Sequence, residues 1–109
     1  MKLPNGQRCD LGTKLEDYSL NSLHREGRNK ARVFESVLGI TQANAEVLRA
    51  AIRSAASSDE AEARGDNGFG EVFNLRFAMT TGRGSATVLT GWIVLRNEDF
   101  PRLTTCYIV

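Results

Sequence analysis

The stretch Phe73-Asn74-Leu75-Arg76-Phe77-Ala78-Met79 decides the fold, because its large apolar side chains recur at every second position. A period of two lays Phe73, Leu75, Phe77 and Met79 on one face of a strand and turns Asn74, Arg76 and Ala78 to the other. Downstream, Thr81-Gly82-Arg83-Gly84-Ser85 supplies hairpin glycines. Ala86 to Leu95 then carries Val88, Leu89, Trp92, Ile93 and Val94 as a return strand, apolar on both faces and therefore central. Arg96-Asn97-Glu98-Asp99 makes the next turn, and a last strand from Arg102 to Val109 sets Leu103, Thr105, Tyr107 and Val109 on one side.

Upstream the period is helical. Pro4-Asn5-Gly6 is a turn in an irregular arm, followed by a short helix in which Leu11, Leu15 and Tyr18 recur, with Asp10 or Thr13 as cap and Leu20-Asn21 as end. Tyr18 reads as core. A second helix is expected from Gly27 to Leu38, stopped by Gly39. Thr41 caps a third, with Ala45, Leu48, Ala51, Ile52 and Ala55 inward and Glu46, Arg49 and Arg53 toward water. Ala56 to Gly70 loses apolar periodicity and reads as a loop with a short edge strand near Glu60–Arg64. The expected architecture is α+β, with N-terminal helices packed on one face of a three- to four-stranded antiparallel sheet. The chain of 109 residues, 41% hydrophobic, is expected to form a single domain over residues 1–109, with the other sheet face free for a ligand.

A formal net charge of +1 gives no global field, so anion binding must come from local clustering. Eleven of the fourteen basic residues are arginine, the side chain suited to bidentate phosphate contacts. Cys9 and Cys106 lie near opposite ends without metal-ligand spacing, as expected of reduced thiols in a cytoplasmic protein. The start is too short and polar for a signal peptide, and no apolar run reaches the length of a membrane span. One histidine and two distant cysteines predict no metal site and no cofactor. Gly82-x-Gly84 lacks the helix a nucleotide loop requires, and no Gly-x-Ser-x-Gly elbow points to a serine hydrolase.

The chemistry concentrates in Leu20 through Phe34. His24, the only histidine, stands with Arg25, Arg28, Lys30 and Arg32 at the approach to the second helix. Cleavage of an RNA phosphodiester needs a base for the 2′-hydroxyl, an acid for the leaving 5′-oxygen and cations for the phosphorane charge. His24 and Lys30 meet much of that need, and Arg28 and Arg32 are further phosphate contacts. On the last strand, Tyr107 can donate to a phosphate or stack on a base, and Thr105 shares its face. The bland alternatives are that His24 is a cap partner and that Thr105 and Tyr107 are present for β-propensity.

Four segments carry a resemblance: Leu3-Pro4-Asn5, Leu20-Asn21-x-x-His24-x-x-Gly27-x-x-Lys30-Ala31-x-x-Phe34, Trp92-Ile93-Val94 and Pro101-Arg102-Leu103-x-Thr105-x-Tyr107. Together they resemble a small bacterial family of unknown function, which in turn looks like the barnase/EndoU/colicin/RelE superfamily of toxin ribonucleases. That resemblance implies a metal-independent endoribonuclease toxin acting on RNA, with a cognate antitoxin or immunity protein as partner. Its site would join His24 and Lys30 to Thr105 and Tyr107, with Arg28, Arg32 and Arg102 on the substrate. Members often end in Thr-x-Tyr-Pro, whereas Ile108-Val109 follows Tyr107 here. The rival expectation is a non-catalytic protein-binding module of the antitoxin or immunity type, which near-neutral charge suits.

Overall fold

A computed structural model describes residues 1–109. Four antiparallel strands, β1 (Glu62–Asp66), β2 (Gly70–Thr80), β3 (Ser85–Leu95) and β4 (Arg102–Ile108), form one sheet in the order β1-β2-β3-β4. The period-two pattern of β2 is realised in register: Phe73 faces Trp92, Leu75 faces Thr90, Phe77 faces Val88 and Met79 faces Ala86. These side chains form the core face, and the helices pack on it.

Helix α1 (Arg28–Val33) continues through a wider turn, Phe34–Leu38, and delivers buried Ala31, Phe34 and Leu38 to the sheet. Gly39 stops it at φ 69°, a left-handed conformation that glycine adopts without penalty, and donates to the Glu35 carbonyl at 3.0 Å. The next N-terminus is held reciprocally: the Thr41 hydroxyl accepts from the Ala43 amide, and the Asn44 side chain accepts from the Thr41 amide. Helix α2 (Ala45–Ser58) follows, burying Ala45, Leu48, Ile52, Ala55 and Ala56. These elements constitute the α+β fold read from the sequence.

Four local expectations need correction. The first helix is only a wide turn, Leu15–Ser19, closed by the Leu20 amide on the Leu15 carbonyl at 2.7 Å. Helix α2 persists to Ser58, which moves the edge strand two residues downstream, to Glu62–Asp66. The third correction lies in β4. Gly91 pairs with Thr105 but Trp92 pairs with Leu103, so Thr104 is an extra, bulged residue. The bulge shifts the alternation, leaving Leu103 and Cys106 buried and turning Thr105 and Tyr107 to the opposite face.

Arg49 is the fourth, because it does not face water. Its guanidinium donates to both Glu16 oxygens, at 2.7 and 2.9 Å, and to the Gly12 carbonyl, pinning the N-terminal segment onto α2. Hydrogen bonds from Arg49 hold the Glu16 carboxyl below the usual range, against an opposing effect of burial. A carboxyl whose folded pKa is depressed stabilises fully above its unfolded pKa, and that contribution is lost as pH falls through the folded value. Glu16→Gln is therefore expected to cost about 1 kcal/mol at neutral pH, discounted for partial exposure, and to weaken the acid loss of stability below about pH 4.5. Urea unfolding at pH 7 and pH 3 checks this. An identical acid loss in both proteins contradicts it.

Candidate functional site

Tyr18 is the hub of the candidate site. The wide turn Leu15–Ser19 leaves it half-buried. The Lys30 ammonium donates to its hydroxyl at 3.1 Å and lies 4.6 Å from its ring centroid. The His24 ring meets it edge-on, with centroids 4.8 Å apart and planes at 75°. From the far end of the chain, the Tyr107 ring comes within 5.1 Å of the same ammonium. Three segments distant in sequence thus meet at one edge of the sheet, and three predicted site residues, His24, Lys30 and Tyr107, are among them.

The spacing His24-x-x-Gly27-x-x-Lys30 now has a physical account. His24 Nδ1 accepts from the Glu26 and Gly27 amides, both at 3.0 Å, and so satisfies free donors at the entry to α1. Gly27 lies against the backbone of Tyr18: a β-carbon there would sit 2.1 Å from the Tyr18 carbonyl oxygen. Its backbone is ordinary right-handed, so glycine is needed for closeness and not for an unusual φ. Lys30, three residues on, lies nearly one helical turn further along and reaches the Tyr18 hydroxyl. The capping alternative for His24 is thus realised together with its place in the cluster. With Nδ1 accepting, the neutral ring carries its proton on Nε2 and presents a donor.

The remaining predicted residues separate. Thr105 is half-buried on the same face of β4 as Tyr107 and leans over Gly91, where a β-carbon would be 2.8 Å from its methyl group. Arg28 and Arg32 are exposed on α1. Arg102 does not belong with them. Its guanidinium binds Glu98 twice, at 2.7 and 2.6 Å, and Asp10 at 2.8 Å, tying β4 to the N-terminal segment. It also lies five residues up the strand from Tyr107, roughly 16 Å at the usual rise.

Charge is distributed unevenly. Arg8, Arg49, Arg64, Arg96 and Arg102 pair with carboxylates. Arg25, Arg28, Lys30 and Arg32 have no carboxylate partner, nor does Lys14, whose ammonium is 5.9 Å from the Tyr18 ring; Lys2, Arg53, Arg76 and Arg83, elsewhere on the molecule, also have none. Burial pushes the Cys106 thiol up to about 12, with Lys30 pulling the other way, so no thiolate forms there at neutral pH. No group of three His, Cys, Asp or Glu side chains is placed to hold a metal ion.

None of the four surface clefts is lined by Tyr18, His24, Lys30 or Tyr107. Arg32 lines one of about 430 Å³ with Glu35, Ser36, Gly39, Thr41 and Arg83. The cluster is therefore an open surface and not a concave pocket of the kind that small molecules favour. Sequence reasoning missed Tyr18, because helical spacing alone cannot distinguish a core aromatic from one at the edge.

Fold and cluster define a small α+β protein with a basic, aromatic patch where its N-terminal segment meets the last strand. The chain belongs to a family described as a domain of unknown function (DUF6883), whose model matches residues 2–109. No curated protein and no solved structure matches it. No helix is long and apolar enough to cross a membrane.

Proposed function

We propose that the protein is a metal-independent endoribonuclease toxin, the RNA-cleaving half of a toxin–antitoxin or toxin–immunity pair. The observation that carries this reading is that His24 and Lys30 both meet Tyr18, while Tyr107 approaches the same Lys30 ammonium, which has no carboxylate partner. Lys30 would neutralise the scissile phosphate as the 2′-oxygen attacks, with Arg28 and Arg32 holding its neighbours. The Tyr107 hydroxyl would donate to a phosphate oxygen, and His24 would carry the proton, taking it from the 2′-hydroxyl as base and, as the imidazolium so formed, returning it to the departing 5′-oxygen. Service of His24 as the base would require a bare Nε2, and hence release of both backbone bonds at Nδ1.

Two variants separate chemistry from capping. His24→Asn keeps a side-chain acceptor for the Glu26 and Gly27 amides while removing Nε2, and Lys30→Gln removes the charge while keeping most of the stem. Wild-type protein expressed without a partner is expected to arrest bacterial growth, and both variants to relieve the arrest while remaining folded by circular dichroism. Harmless wild-type protein, or folded variants that still arrest growth, would contradict the proposal.

The second reading is a non-catalytic protein-binding module. It is favoured by the outer face of the sheet, where half-buried Val72, Ile93 and Leu95 lie on strands with no helix above them.

A further inference from the structure

Resting on the RNA reading above, we infer that Arg76 is a further RNA-binding residue, and that the strand held at Lys30 passes Tyr107 and crosses the outer face of the sheet to reach it. Cross-strand pairing sets the geometry. Arg76 on β2 pairs with Leu89 on β3, and Leu89 pairs with Tyr107 on β4, so the three side chains form one row on the face opposite the core. Leu89 is nevertheless only 4% exposed. With no helix above it, side chains of its own face must cover it, and Arg76 and Tyr107 are the ones directly across from it on either side. Their Cα atoms are two strand spacings apart, roughly 10 Å, within the combined reach of an arginine and a tyrosine side chain. Tyr107 is also the residue that the Lys30 ammonium approaches from α1, 5.1 Å from the ring centroid, so it stands between the two cations.

Arg76 is exposed and has no carboxylate partner. The acid in the adjacent row of that face, Glu62 opposite Asn74, is taken by Arg64 at 2.9 Å. An unpaired arginine offers its whole fork to a phosphate. In that adjacent row Asn74, Gly91 and Thr105 pair across the sheet, and the bulge adds Thr104. A β-carbon on Gly91 would lie 2.8 Å from the Thr105 methyl, 3.1 Å from the Thr104 hydroxyl and 3.8 Å from the Asn74 side-chain oxygen. Three polar side chains thus converge on the space that the glycine leaves open. None of them, nor Arg76, has a side-chain hydrogen bond within the protein. The Ser19 hydroxyl is the only buried side-chain polar atom without a partner, so the polar atoms of half-buried Asn74 and Thr105 are open to solvent or a ligand. Val72, Ile93 and Leu95 stand at the other end of the face. The end next to Tyr107 therefore carries arginine, asparagine, threonine and tyrosine, the residue types that hold the phosphates and sugars of a nucleic acid strand.

The test measures binding of a single-stranded 2′-O-methyl RNA of about ten nucleotides, which lacks the attacking hydroxyl, to the whole protein over a series of salt concentrations. Each phosphate contact on a single strand contributes about 0.7 to the slope of log affinity against log salt. Arg76→Gln is expected to weaken binding by about 10-fold at low salt and to reduce that slope by about 0.7, whereas Arg76→Lys keeps the charge and hence the slope. Lys2→Gln removes another cation without a carboxylate partner, one that bridges to Glu60 just before β1 at the far edge of the sheet, and is expected to change neither quantity. A folded Arg76→Gln protein with wild-type affinity and slope, or an equal fall in Lys2→Gln, overturns the path across the sheet and leaves the RNA reading standing. No binding by the wild-type protein overturns both.

Discussion

Replacing Gly27 with alanine is expected to dismantle the candidate site and destabilise the fold together. The new β-carbon would lie 2.1 Å from the Tyr18 carbonyl oxygen and 2.9 Å from its carbon, contacts that backbone atoms cannot sustain. The entry to α1 must then move away from the wide turn. That movement strains the two amide bonds to His24 Nδ1 and withdraws Lys30 from the Tyr18 hydroxyl. Overpacking of this kind costs about 1–3 kcal/mol. Activity should fall as far as it does in Lys30→Gln, because the ammonium loses its place. Urea unfolding and the growth assay check the two parts, and a Gly27→Ala protein with wild-type stability and full activity would show that the close approach is unimportant.

Trp92→Ala is expected to have the largest effect on stability alone. Trp92 is fully buried, pairs across the sheet with Phe73 and donates from its ring nitrogen to the Thr90 hydroxyl at 2.8 Å. The hydroxyl of Thr90, itself buried, donates to the Leu75 carbonyl at 2.9 Å, so one short chain of hydrogen bonds lies inside the core. Truncation leaves a large cavity and costs about 3–5 kcal/mol, a substantial share of the stability of a domain this size. Trp92→Phe should cost less, because most of the volume remains. Since Trp92 is the only tryptophan, the variants are compared by circular dichroism in urea. A loss below about 1 kcal/mol for Trp92→Ala would contradict the packing described.

Much of the fold could be read locally. The alternation in β2 fixes its buried face, Gly39 ends a helix because it alone accepts the required φ cheaply, and Thr41 caps the next through bonds to residues two and three positions away. The features that escaped depend on distant partners. Arg49 looks solvent-exposed by helical period, yet Glu16, 33 residues earlier, draws it in. Arg102 looks like one more phosphate contact until Asp10 and Glu98 are placed beside it. The bulge at Thr104 is set by pairing with Gly91 and Trp92, and no alternation rule within β4 reveals it.

The candidate site was legible in the same uneven way. His24 and Lys30 stood out as rare residue types close together, and Tyr107 as an aromatic on a terminal strand. Their meeting point, Tyr18, carried no such mark. It sits where a helical stripe would place a core residue, and only the wide turn leaves its hydroxyl in reach of Lys30.

The most direct measurement is cleavage of a single-stranded RNA by the purified protein in the presence of a chelator, with wild type and Lys30→Gln compared at equal folded concentration. The account predicts wild-type products ending in 2′,3′-cyclic phosphate, and a loss of about 100-fold or more in Lys30→Gln, on the scale of removing a transition-state charge partner. Intact RNA with the wild-type protein, or equal cleavage by both proteins, would contradict it.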